Sequence, residues 1–65
     1  MNIIINKLPH EVPDGATLAQ AIALLQPNPP FAAAVNLQFV PKARYDQTSL
    51  QAGDRVEIIL PVTGG

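Results

Sequence analysis

The chain has no cysteine and no tryptophan, only one histidine, and few charges of either sign: four Lys+Arg and five Asp+Glu in 65 residues. Each scarcity excludes something. Without cysteine there are no disulfides, thiolate metal sites or cysteine nucleophiles. A single histidine, His10, cannot build a histidine-rich metal site. A net charge of −1 offers no electrostatic footprint for nucleic acid. Long hydrophobic runs are missing too. Ile3-Ile4-Ile5 is the strongest near the start, too short for the apolar stretch of a signal peptide or for the ~20 residues of a spanning helix. The expectation is a protein with no membrane and no nucleic-acid partner, located in the cytoplasm, a compartment that the lack of cysteine fits.

What is present is apolar. Hydrophobic residues make up 48% of the chain and charged ones 14%, against about 25% charged in an ordinary domain. A chain this short is one domain and buries only about 60% of its unfolded surface. Some apolar residues must therefore lie outside, where a patch marks a partner site.

The pattern of elements is legible. Ile3 and Ile5 alternate with Asn2, Ile4 and Asn6, as in a short strand with Ile4 on the face opposite Ile3 and Ile5. Asn6-Lys7-Leu8-Pro9 reads as a turn and His10-Glu11-Val12 as the returning strand. After Pro13-Asp14-Gly15, Thr17 stands three residues before Gln20, the spacing of a capping box, with Asp14 as a rival cap. Leu18, Ala21, Ile22 and Leu25 then share one helical face, predicted to be core. Pro27, Pro29 and Pro30 end the helix near Gln26. Phe31–Val35 reads as a buried strand, Asn36-Leu37-Gln38 as a tight connection, and Phe39-Val40 as a short strand. The stretch from Lys42 to Ala52 is mostly polar, anchored by Tyr45 and Leu50, and Ala52-Gly53-Asp54 is a turn. Arg55–Leu60 is the clearest strand, with Val56, Ile58 and Leu60 on one face and Glu57 and Ile59 on the other. The order is ββαβββ. It predicts an α+β roll of four to five strands in a mixed sheet, one helix on one face, and the first and last strands adjacent at the centre.

Candidates for chemistry are few. His10 and Glu11 are strand neighbours and point to opposite faces, with no nucleophile beside them. Asp54 suits its turn, Glu57 a solvent face, and Asp46 has no evident partner. Lys42, Arg44 and Arg55 form a loose basic set, which is either solvated or meets acidic groups on a partner. No glycine pattern forms a phosphate loop, so ATP has no site here. The sequence ends on Gly64-Gly65. Such an end is either a frayed terminus or a reactive one. Its α-carboxylate is ionised at neutral pH and is nucleophilic enough to attack the α-phosphorus of ATP. Two glycines are thin enough for a narrow active site, and Val62–Gly65 extended span about 13 Å. By strand parity Ile4 and Ile59 point away from the helix. On adjacent strands they would form an apolar patch near this end, extended by Leu37 and Phe39.

Several segments resemble a known family. They are Pro13-Asp14-Gly15-Ala16-Thr17-Leu18, Ala34-Val35-Asn36 leading to Phe39-Val40-Pro41-Lys42, Leu50-Gln51-Ala52-Gly53-Asp54-Arg55-Val56-Glu57-Ile58, and Pro61-Val62-Thr63-Gly64-Gly65. Together they resemble the sulfur carrier protein of thiamine thiazole biosynthesis, in the β-grasp, ubiquitin-like fold. The likeness runs through essentially the whole chain. Leu37 departs from it, since the family often has Gly after Asn.

The resemblance implies a division into residues 1–61, the β-grasp domain, and 62–65, a flexible tail of Val62, Thr63, Gly64 and Gly65 that enters partner active sites. It implies a carrier that is not an enzyme, binds no cofactor and is a monomer when free. An activating enzyme would use ATP to adenylylate Gly65. A sulfur-transfer protein would supply sulfur to make the thiocarboxylate, and thiazole synthase would receive it. The small subunit of molybdopterin synthase shares this chemistry but belongs to a longer family. A ubiquitin-like modifier joined to lysines, or a plain interaction module, are the other readings.

Overall fold

The computed structural model describes residues 1–61. The polypeptide forms β1 (Asn2–Ile5), β2 (Leu8–Glu11), α1 (Leu18–Leu25), β3 (Ala32–Val35), β4 (Gln38–Val40), a 3₁₀ helix (Lys42–Gln47) and β5 (Arg55–Ile59). The strands make one mixed sheet in the order β2-β1-β5-β3-β4. β1 and β5 are parallel, and the other pairings are antiparallel. The first and last strands are neighbours, as expected, and β5 is central. Pro9, which cannot donate to a ladder, sits on edge strand β2.

The period-2 pattern sorts the two faces. Ile3 and Ile5 of β1, Val56 and Ile58 of β5 and Ala33 of β3 are buried beneath α1, which contributes Leu18, Ala21 and Ile22. The expected capping box starts the helix: the Thr17 backbone N–H donates to Gln20 Oε1 at 2.8 Å, and the Gln20 N–H donates to Thr17 Oγ1 at 3.4 Å. Asp14 does not cap it. It lies instead 3.5 Å from the Met1 ammonium, the one ion pair among the described residues. Gln26 turns left-handed (φ 47°) and ends the helix before the prolines.

The structure departs from the predicted pattern in four places. Leu25 is not core but 38% exposed, because α1 buries its first half and runs off the sheet toward its end. Leu60 lies beyond the last pair of β5, Ala32 with Ile59, and is exposed. The first turn is only Asn6-Lys7, so Leu8 and Pro9 belong to β2. The polar stretch contains the 3₁₀ helix, which packs against α1. Tyr45 anchors it by stacking on Phe31, ring centroids 6.2 Å apart, while Leu50 is buried. Leu50 also donates its N–H to Ala16, and the Leu18 N–H donates to Thr48, which ties the loop to the helix start.

Both hairpins close with two residues of positive φ: Asn6 (50°) and Lys7 (71°), Asn36 (50°) and Leu37 (69°). This is the type I′ geometry, whose twist matches that of the strands. Asparagine tolerates it, but a bulky residue such as leucine carries about 1–2 kcal/mol of steric cost there.

Candidate functional site

β5 carries the chain toward its end, and two asparagines grip it from opposite flanks. Asn6 donates its backbone N–H to the Val56 carbonyl (2.9 Å) and accepts the Ile58 N–H on Oδ1 (2.8 Å). Asn36 donates its N–H to the Arg55 carbonyl (2.7 Å) and accepts the Arg55 N–H on Oδ1 (3.0 Å). Its Nδ2 also donates to Asp54 Oδ1 at 3.1 Å, and Asp54 Oδ2 accepts the Gln51 N–H at 2.8 Å. Each asparagine therefore acts as one more backbone partner where its own strand has already turned away. β5 is held to Ile58 along its β1 edge and to Ile59 along its β3 edge.

The sheet face away from α1 is uncovered. On it the registers form a row from Phe39 through Ala34 to Glu57, with Ala32 and Ile59 paired in the next row. Phe39 is 67% exposed and Ile59 51%. Beyond them Pro30, Phe31, Ala32, Ile59, Leu60 and Pro61 line an open, apolar depression of about 250 Å³ at the end of the described chain. Ile4 does not join this group. It pairs with Arg55, four residues from Ile59, or about 13 Å along the strand. Adjacent strands were not enough, because the parallel register separates the two isoleucines. Ile4 is half-buried in a second depression with Lys7, Arg55 and Glu57. Leu37 projects from its hairpin tip, 87% exposed. Leu8, Leu24 and Leu25 are exposed elsewhere, so the apolar surplus is not gathered on one face.

The depression walls formed by Pro30, Phe31 and Leu60 escaped the sequence reading, which placed Phe31 in a buried strand and Leu60 on one face of the last strand with Val56 and Ile58. The available signal was proline: Pro29-Pro30 before Phe31 and Pro61 after Leu60 stop pairing, leaving the adjoining apolar side chains past the reach of the helix. His10 and Glu11 lie on opposite faces of β2, as parity required. Lys42 and Arg44 sit on the 3₁₀ helix and Arg55 on β5, so the basic set spans separate elements. No group of three or more potential metal ligands occurs among the described residues, and no helix there is long and apolar enough to cross a membrane. Val62, Thr63, Gly64 and Gly65 lie outside the described residues.

No curated protein matches the chain. The sequence model of the ThiS family matches residues 3–65, from β1 to the last glycine. The chain belongs to the ThiS family. Two solved structures agree with this. A crystal structure of a thiamine biosynthesis protein (ThiS) from Geobacter metallireducens superposes with a TM-score of 0.82, at 22% identity over the whole of both chains. A solution structure of a thiamine biosynthesis protein from the same organism gives a TM-score of 0.78, again at 22% identity, covering all of this chain and 88% of the other. Those likenesses establish the β-grasp fold. With the family match, they make this ThiS-family chain a sulfur carrier.

Proposed function

We propose that this ThiS-family chain carries sulfur as a thiocarboxylate on Gly65 for thiazole formation in thiamine biosynthesis. The supporting observation is that the family match runs unbroken to Gly65. The Gly65 carboxylate attacks the α-phosphorus of ATP in the active site of an activating enzyme. Pyrophosphate leaves and an acyl-adenylate remains. A sulfide equivalent from a sulfur-transfer protein attacks the acyl carbon, the C–O bond to AMP breaks, and the thiocarboxylate forms. Thiazole synthase receives the sulfur.

The carrier supplies the carboxylate and the recognition surface, and its partners supply the catalysis. Residues 1–61 are the body the partners grip. Val62, Thr63 and Gly64 bring Gly65 into their active sites, and the carrier is a cytoplasmic monomer between encounters. It needs no cofactor of its own. The contact surface is the uncovered sheet face around Ile59 and Phe39, adjoining the depression at Pro61.

The test is an intact mass after incubation with ATP, the cognate activating enzyme and a sulfur donor. One oxygen replaced by sulfur is the expected result. A covalent adduct of a larger protein would instead mark a modifier, and an unchanged mass would overturn the reading. The pathway is tested by supplying the thiocarboxylate to thiazole synthase and to the large subunit of molybdopterin synthase. Product from the first alone is expected.

A further inference from the structure

The last rungs of β5 set where the chain leaves the described domain, and its two edges are held differently. On the β3 edge the ladder runs to Ile59, paired with Ala32. Pro61 and Pro30 lack the N–H that would carry pairing further. On the β1 edge the paired positions end at Val56, because β1 turns away after Ile5. There the Asn6 side chain replaces a strand. Its Oδ1 accepts the Ile58 N–H at 2.8 Å in a partly buried setting, while its backbone N–H donates to the Val56 carbonyl at 2.9 Å. Among the described residues, that side-chain bond is the one hydrogen bond to β5 beyond Val56 on this edge. It falls three residues before Pro61. Asn36 offers a contrast built from the same part. It has the same φ of 50°, but its amide holds the start of β5, at Arg55 and Asp54.

We propose that Asn6 is a positioning residue for adenylylation: its amide fixes the end of β5 and so aims the segment that carries the reacting carboxylate. This role rests on the carrier function above. Without the Asn6 acceptor, the end of β5 is held by its β3 edge alone and can twist about it. Seven residues of chain lead from Ile58 to Gly65, and an angular error at the rung grows along them. The proposed contact surface around Ile59 and Phe39 keeps its own pairings, so the domain docks as before. The carboxylate then meets the α-phosphorus of ATP in fewer productive orientations, and a misplacement of about 1 Å is enough to cost a large factor in rate. The loss belongs to the maximal rate and not to half-saturation.

The experiment compares the full chain with Asn6→Gly, Asn6→Asp and Asn36→Gly. Glycine accepts the left-handed turn, so each Gly variant loses only the amide. Aspartate tolerates the turn and keeps an acceptor oxygen. Pyrophosphate release is followed in single turnovers with the activating enzyme in excess, at about 10 °C with trimethylamine N-oxide throughout, which keeps a destabilised variant folded. Asn6→Gly should lose about tenfold in maximal rate, with half-saturation within about twofold of the parent's. Asn6→Asp should restore the rate to within about twofold. Asn36→Gly, which gives up two side-chain bonds rather than one, should lose stability yet keep both constants. An unchanged rate for Asn6→Gly would overturn the proposal. Equal rate losses in the two Gly variants would also overturn it, since that is general loosening of the fold. So would a change confined to half-saturation, which would make Asn6 a contact of the enzyme, or an Asp variant as slow as the Gly one. A parent chain that is never adenylylated overturns the carrier reading and this role with it. A parent that turns over, beside Asn6→Gly of equal rate, overturns this role alone.

Discussion

Asn6 and Asn36 show how much of this fold rests on single side chains. Each occupies a left-handed turn position, which asparagine tolerates, and each then reaches β5 with its amide. The turn role was legible, since Asn followed by one residue between apolar runs is a hairpin signal. The second role was not, because the Asn6 amide meets Ile58 across 52 positions of sequence. Local pattern carries no information at that range. Replacing Asn6 by Ala leaves the Ile58 N–H without its acceptor in a partly buried setting, which should cost about 1–3 kcal/mol. Denaturant unfolding measures the loss. Amide exchange at Ile58 should accelerate more than at residue 6, whose backbone N–H still donates to the Val56 carbonyl. Equal acceleration at both would mean the turn itself had collapsed.

At the scale of elements, the helix and the strand faces were readable and the registers were not. Thr17 and Gln20 announce the helix start because a capping box is a local geometry. Thr17→Ala should cost about 1 kcal/mol, read from the unfolding midpoint. The 3₁₀ helix has no comparable signal: it is short, has no side-chain cap, and is held by the Phe31–Tyr45 stack and by packing on α1. Parity correctly sent Ile4 and Ile59 to the uncovered face, but whether they touch depends on register, which the Ile4–Arg55 pairing decides against. The same two-faced strand supports a contrast within β5. Ile59→Asp places a charge on solvent-exposed sheet and should change stability by only about 0.5 kcal/mol. Binding to the activating enzyme, followed by calorimetry, should weaken well beyond that. A large loss of stability would show that Ile59 supports the fold rather than the partner contact.

For the whole molecule, small size governs the consequences. At roughly 0.05–0.15 kcal/mol per residue, a chain this short holds only ~3–10 kcal/mol of stability. Every described core residue lies at or before Ile58. Ile3, wholly buried, illustrates the vulnerability: Ile3→Ala should remove about 2–5 kcal/mol, enough to unfold much of the population. The scarcity of histidine and the absence of cysteine fit the proposed function, in which a carrier that reacts through the Gly65 carboxylate needs no side-chain nucleophile. On the proposed function, removal of Gly65 should affect the chemistry and leave the fold intact. The described core, the capping box and the asparagine bonds are formed by residues up to Ile58, so the unfolding midpoint of the shortened chain should match the parent's within error. The acyl group at the native position is gone, however, and the new terminal carboxylate on Gly64 falls one residue, about 3.5 Å, short of the activating site. That misplacement is larger than catalytic geometry tolerates. Thiocarboxylate formation, read by intact mass, should fall below detection while the domain still binds the enzyme through its sheet face. Sulfur transfer that survives the deletion would overturn the assignment of Gly65.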